Sequence, residues 1–221
     1  MEKHHQVICF GDIHGHPGAA QTAVSLAEQL GIPAVFLGDY VDRGPDSHGV
    51  LRIIMQASER HPDWIFLLGN HDLMLMQAFE GERHPYGYDE RTVFETLPTI
   101  PGHKHPLLLD FLKARPIFHR KNQCLFVHGG FKDPHLPIES LGREELTWTY
   151  GIPEGWRGET VVRGHAVVEK PEIGPYDINI NTMCGYGGSL TGLLLNTTDA
   201  KALQIWQISE DGDLSNSFDL E

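Results

Sequence analysis

The stretch Val7-Ile8-Cys9-Phe10-Gly11-Asp12-Ile13-His14-Gly15 sets a pattern that returns four more times along the chain. A short apolar run, rich in β-branched or aromatic residues, ends in Gly or His plus a side chain able to bind metal. Ala34-Val35-Phe36-Leu37 runs into Gly38-Asp39-Tyr40-Val41-Asp42-Arg43-Gly44, and Trp64-Ile65-Phe66-Leu67-Leu68 into Gly69-Asn70-His71-Asp72. Cys124-Leu125-Phe126-Val127 leads to His128-Gly129-Gly130, and Thr160-Val161-Val162 to Arg163-Gly164-His165. Continuous apolar runs bounded by glycine predict strands buried on both faces. Helical patterns over 19–30 and 46–60 separate the first three runs. Strand, helix, strand is the signature of an α/β protein with a parallel or mixed sheet. Ligands collect outside the carboxyl ends of such strands, and every metal-capable residue quoted above falls on that end.

After Gly164 the pattern changes. Residues 177–182, 190–196 and 202–208 predict strands joined by Gly-rich or Asn/Asp turns. They read as a second, largely antiparallel sheet packed on the first, within one domain spanning residues 1–221. The tail from Ser209 carries five acids and no base, which predicts a solvated, frayed end over 209–221. Residues 81–105 hold three prolines and three glycines with little periodicity. A loop of that length is usually functional or mobile, and it is the expected determinant of substrate choice.

Composition narrows the field. Of 221 residues 40% are hydrophobic and 21% charged, enough apolar surface to bury a core. Disorder, collagen, coiled coil and a disulfide scaffold are excluded. Seventeen basic against thirty acidic residues leave −13, which argues against nucleic acid or anionic membrane as partners. Cys9, Cys124 and Cys184 show no metal-type spacing, and the first two sit in apolar runs as buried thiols. The N-terminus offers only Val7 to Phe10 as an apolar run, too short for a signal peptide, so a cytoplasmic location is expected.

The five strand ends together predict a two-metal site. Asp12 and His14 are two apart and point to one side of an extended segment. Asp39 can present two oxygens and bridge two ions. Asn70, His128 and His165 add a neutral oxygen and two imidazoles. Oxygen and nitrogen without thiolate suits Mn²⁺, Fe, Zn²⁺, Co²⁺ or Ni²⁺. Two such ions ~3.5–4 Å apart generate a hydroxide between them and polarise a phosphoryl group. His71 is placed to protonate a leaving oxygen, Asp42 to hold His71 in one tautomer, and Arg43 to grip phosphate oxygens.

The ordered set GDIHG, GDYVDRG, GNHD, HGG and RGH, over residues 11–165, resembles the signature of the phosphoprotein phosphatase family of metallophosphoesterases. That family includes Ser/Thr protein phosphatases, the lambda phosphatase and symmetrical dinucleoside tetraphosphatases. The resemblance implies a calcineurin-like fold, two mixed β-sheets in a sandwich flanked by helices. It implies that Asp12, His14 and Asp39 hold one metal, and Asp39, Asn70, His128 and His165 the other. Manganese is the commonest activator of its bacterial members. The leading expectation is a Ser/Thr protein phosphatase acting on phosphorylated protein or small phosphoesters. The alternative is hydrolysis of a dinucleoside polyphosphate or another nucleotide. A non-catalytic metal-binding module is a third reading, against which His71, Asp42 and Arg43 speak.

Some positions depart from the family pattern. Tyr150 stands where lambda-like members carry a second phosphate-binding arginine, and Asn181 and Met183 replace the usual Asp and Gly of a late motif. Arg115, Arg120, Arg143 and Arg157 are the candidates to fill the arginine's place. His16, His48 and Asp72 lie beside the motifs, where a supporting or solvated role is as well matched as a catalytic one. His84, His103 and His105 fit polar filler better than an extra metal site, and Cys184 fits a structural thiol better than a redox group.

Overall fold

The computed structural model describes residues 5–82 and 92–219. Strand β1 (Gln6–Phe10) is followed by helix α1 (Pro17–Leu30), then by β2 (Ala34–Phe36), α2 (Ser47–Arg60), β3 (Ile65–Phe66) and α3 (Asn70–Phe79). Helix α4 (His105–Lys113), β4 (Phe118–Lys121) and β5 (Cys124–Val127) come next, then α5 (Arg143–Trp148) and β6 (Thr160–Arg163). The chain closes with β7 (Glu172–Ile173), β8 (Asp177–Asn179), β9 (Ser189–Asn196), β10 (Lys201–Ser209) and β11 (Leu214–Asp219). One six-stranded sheet has the order β11-β10-β9-β1-β2-β3, and a five-stranded one the order β4-β5-β6-β8-β7. Both are mixed, and together with the helices they form the α/β sandwich.

Alternation along β1 shows why the strand reads as a continuous apolar run. Val7 and Cys9 join Phe126, Val162 and Leu193 between the sheets, while Ile8 and Phe10 join the layer under α1 to α4. Phe10, Phe36 and Phe66 stack in series with centroids 4.9 Å apart, tying the three parallel strands together on the helix side. The outer face of the second sheet buries Leu125, Val127 and Val161 against Phe131, Ile138 and Leu146. Helix α1 starts on Pro17 and stops at Gly31, whose φ of 63° no β-branched residue adopts cheaply. Asp46 caps α2 by accepting the N–H of Gly49 at 2.7 Å.

Two expectations are corrected. The segments 190–196 and 202–208 lie in the first sheet, with Cys9 paired to Leu193. The second sheet is instead built from β5 and β6 with 177–179 beside them. A hydrophobic pattern states which faces are buried, not which edge a strand joins. The acidic tail is likewise no frayed end: β11 pairs antiparallel with β10, Ser217 opposite Trp206. Its backbone supplies the pairing that its side chains do not advertise, as an edge strand can. Residues 92–104, expected as loop, coil into short turns of π and 3₁₀ helix, Thr92–Thr96, Leu97–Thr99 and Gly102–Lys104. His84 and the rest of residues 83–91 lie outside the described residues.

At the carboxyl end of β3 the chain passes so close to the β2 turn that only glycine fits. A Cβ on Gly69 would sit 2.3 Å from the Asp39 nitrogen and 2.2 Å from its Oδ1. Gly69 has an ordinary φ of −95°, so the demand is purely steric. Gly69→Ala is expected to destabilise by about 2–3 kcal/mol in denaturant unfolding, and a loss below ~0.5 kcal/mol would refute the close approach.

Candidate active site

The five predicted strand ends meet. Asp12 and His14 follow β1, Asp39, Asp42 and Arg43 follow β2, and Asn70 and His71 open α3. His128 follows β5 and His165 follows β6, so the second sheet contributes the remaining imidazoles. The local backbone is held in unusual conformations. His14, Asp39, Asp42, Arg43 and His165 all have positive φ, between 48° and 70°. Each such residue is costly alone, and their concentration here marks a site held by its surroundings.

Hydrogen bonds to the backbone settle which imidazole nitrogens face inward. His14 donates Nδ1–H to the Val41 carbonyl and His128 to that of Leu37, both at 2.9 Å. Their Nε2 atoms therefore turn into the site, the arrangement that fixes metal-binding histidines. His14 Nε2 lies 3.5 Å from Asp39 Oδ2, and His128 Nε2 lies 3.4 Å from Asp39 Oδ1. Asn70 Oδ1 accepts from His128 Nε2 and His165 Nδ1, each at 2.9 Å. Two groups of ligand atoms lie within 4.8 Å of one another, His14-Asp39-His71 and Asp39-His128-His165, and Asp39 belongs to both. The oxygen and nitrogen donors fit divalent ions, and His165 Nε2, buried and without a hydrogen-bond partner, shows the same polar surplus.

Electrostatics sort these groups by protonation. Burial pushes Asp39 up, but the imidazoles of His128, His71 and His14 outweigh it and hold the carboxyl well below its ordinary value. His14 lies well below its usual range because it is buried, and burial with His128 alongside takes His165 down to about 3. Both are therefore neutral at pH 7, with lone pairs to offer. His128 is buried too, yet the Asp39 and Asp12 carboxylates lift it to about 9. Burial raises Asp12 to about 6. Asp12 stands 3.8 Å from His14 and is held by Asn181, whose Nδ2 donates at 2.6 Å. The late-motif departure at Asn181 thus orients a site carboxylate.

His71 Nδ1 donates to Asp42 Oδ2 at 2.6 Å, as the sequence suggests. Arg43 Nη2 stands 3.0 Å from His71 Nε2, so that nitrogen accepts, and Nη1 meets His14 Nε2. Three further groups bear on the site, and of these only Asp72 is singled out by the sequence. Thr92 and Thr96 donate to Asp42 Oδ2 and Oδ1, each at 2.5 Å, from the segment expected only as loop. Asp72 accepts from the N–H groups of Asp39, Tyr40 and Gly69 at 2.8–2.9 Å. Burial and the neighbouring Asp39 charge push its carboxyl up to about 7. Glu210 Oε1 accepts from Gly185 and Gly187, both at 2.8 Å, and so fixes Tyr186, over whose ring Arg43 lies at 4.4 Å.

A cavity of about 410 Å³ opens over this centre, lined among others by Arg43, His71, His165, Tyr150 and Tyr186. None of the candidate replacement arginines reaches it. Arg120 pairs with Glu139 and Glu159, Arg115 folds over Phe111, Arg143 turns to the Lys113 carbonyl, and Arg157 to that of Trp156. Tyr150 packs on His165 instead, ring centroids 4.4 Å apart. His16 faces Glu210, and His48 lines a separate cleft on α2. His105 bonds the Ile100 carbonyl, and among the described residues neither it nor His103 joins a metal-type cluster. Cys184 is buried against the Ile13 carbonyl, its thiol pushed well up by burial.

The calcineurin-like phosphoesterase profile matches residues 5–199. The chain belongs to that family. It is a metallophosphoesterase, a phosphoric ester hydrolase of a family that binds divalent metals. It is 26% identical over 216 residues to the asymmetrical bis(5′-nucleosyl)-tetraphosphatase PrpE of Bacillus mycoides, covering 83% of this chain and 87% of that protein. It is 37% identical over 129 residues to the symmetrical bis(5′-nucleosyl)-tetraphosphatase of Bordetella pertussis, covering 54% of this chain and 42% of that one. A crystal structure described as a candidate diadenosine tetraphosphatase shares the fold at a TM-score of 0.68 and 23% identity, over 92% of this chain and 93% of that one. No helix among the described residues is long and apolar enough to cross a membrane.

Because Asp39 belongs to both ligand clusters, its charge should dominate metal affinity. Mn²⁺ at about one hundred times its Kd is expected to stabilise the phosphoesterase by ~2.7 kcal/mol in thermal unfolding. Asp39→Asn should lose most of that gain and Asp12→Asn clearly less. Equal losses would remove Asp39 from its bridging place.

Proposed function

We propose that this phosphoesterase hydrolyses dinucleoside polyphosphates, cutting a phosphoanhydride bond at the Asp39 centre. The relative PrpE, matched over most of both chains, carries the reading, and the cavity supports it with Arg43 as its one arginine among the described residues. A terminal phosphate dianion is best neutralised by two guanidinium forks, whereas each inner phosphate of an anhydride presents less charge. A charge-assisted hydrogen bond contributes ~1.5–3 kcal/mol against ~0.5–1.5 for a neutral one, so Tyr150 costs monoester recognition more than anhydride recognition. The Ser/Thr phosphatase reading keeps support from the ordered motifs and stands second.

In this reading Asp12, His14, Asp39, Asn70, His128 and His165 hold two divalent ions, Mn²⁺ by preference. The ions supply, when bound, charge neutralisation at phosphorus and activation of water. Arg43 binds a non-bridging phosphate oxygen and in doing so leaves His71 Nε2, which it otherwise occupies. The freed nitrogen takes a proton from solvent and passes it to the leaving phosphate oxygen as the P–O bond breaks, while the attacking water gives its own proton to solvent as its oxygen joins phosphorus. Asp42, held by Thr92 and Thr96, keeps Nδ1 protonated and the ring aimed. All these groups act within one domain, to which segment 81–105 contributes the threonines, in a cytoplasmic protein.

With Mn²⁺, diadenosine tetraphosphate should be cut with a higher kcat/KM than phosphoserine peptides or p-nitrophenyl phosphate. The reverse order would restore the protein-phosphatase reading. His71→Asn should cost ~10²–10⁴-fold on substrates with poor leaving groups and far less on p-nitrophenyl phosphate. The double variant Thr92→Val/Thr96→Val should reproduce that bias at about tenfold, with Ser at both positions restoring activity. A uniform loss across leaving groups would put His71 in phosphate binding instead.

A further inference from the structure

Tyr150 is 75% exposed, though its ring lies against the half-buried His165 of the site. It lines the catalytic cavity and also a second, adjoining cavity of about 430 Å³, whose walls include Lys132, Trp148, Thr149 and Ile152. Its ring thus stands between the place where phosphates react and a separate space of similar size. Its backbone is pinned on both sides: Thr149 donates to Glu145, Gly151 to Thr149, and Phe131 to Gly151, at 3.1–3.2 Å. A ring presented on a fixed backbone loses little freedom when something stacks on it. An exposed aromatic face beside a phosphate site suits a flat, uncharged group joined to a phosphate, and Lys132 offers a cation to the connecting oxygens.

We propose that this second cavity is a nucleoside subsite, with the nucleobase stacked on Tyr150 while the phosphates lie over the Asp39 centre. The inference rests on the dinucleoside polyphosphate reading and adds where one nucleoside sits. Among the described residues the walls offer a π-face and no charged side chain but Lys132, so recognition is by stacking and tolerates different bases. Base–aromatic stacking strengthens binding by roughly ten- to hundredfold.

The test compares two ligands that share their phosphorus groups and charge and differ by the nucleoside: the α,β-methylene analogue of ADP and the monomethyl ester of methylenediphosphonate, both resistant to cleavage between the two phosphorus atoms. Calorimetry on the Mn²⁺-loaded protein should show the nucleotide binding at least tenfold tighter. That ratio should fall toward one in Tyr150→Leu and persist in Tyr150→Phe. Ile152→Trp, which fills the cavity and leaves Tyr150 in place, should also abolish it and covers the case of a Leu variant that fails to fold. A ratio near one in the wild type, or one that survives Tyr150→Leu and Ile152→Trp, overturns the subsite. Should the ratio behave as expected while diadenosine tetraphosphate is not hydrolysed, the subsite stands and the proposed substrate falls. Hydrolysis of the tetraphosphate with a ratio near one removes the subsite and keeps the substrate.

Discussion

The buried carboxylate of Asp72 holds together the part of the molecule on which everything else depends. It accepts three backbone N–H groups, from Asp39 and Tyr40 after β2 and from Gly69 after β3. One side chain thereby fastens two strand ends and the first turn of α3. Without it, three buried donors would be left unpaired, each worth about 1–3 kcal/mol of desolvation. The fastening also explains how Asp39 keeps a φ of 53°, since its own N–H is tied on one side while His71 donates to its carboxylate on the other. A site assembled from left-handed residues needs such external restraint, because an isolated loop would relax away from it.

The parts of the fold legible in the sequence are those where periodicity and end signals agree. Helices α1 and α2 announce themselves by Pro17 and Asp46 at their starts, and α1 also by Gly31 at its end. Strands β1, β2 and β3 announce themselves by apolar runs that end in Gly-Asp or Gly-Asn. Sheet membership was not legible, since Leu193 and Leu195 would be as well buried opposite Cys9 as beside it. Candidate site residues were legible because their types are rare together and their order is specific. Thr92, Thr96 and Glu210 were not, because a threonine or glutamate that bonds across 25 or more positions leaves no local pattern.

Charge shows the same division between what is local and what is assembled. The chain carries −13, and carboxylates crowd the site as well as the surface. Yet burial and neighbours separate them: Asp39 is held ionised, Asp12 and Asp72 are pushed toward neutrality, and the imidazoles of His14 and His165 are left neutral. Several carboxylates in one pocket can coexist only if most of their charge is offset by backbone N–H groups, imidazoles or cations. That requirement, more than any single ligand, accounts for the density of histidine at these strand ends.

The last hairpin links this centre to the edge of the first sheet. Its acidic composition reads as a solvated end, but Glu210, at the turn after β10, reaches back to the N–H groups of Gly185 and Gly187. Those glycines have φ values of 88° and 83°, conformations that present both N–H groups to one oxygen. Tyr186 between them is thereby set under the Arg43 guanidinium, and Arg43 in turn touches His14 and His71. The guanidinium is a single cation with three competing neighbours, an aromatic face and two imidazoles. A phosphate oxygen that displaces the imidazoles can take it without losing the tyrosine, so Tyr186 supports Arg43 in both positions. The carboxylate that secures this support comes from the far end of the chain, so the chemistry at the centre depends on a strand pairing at the edge.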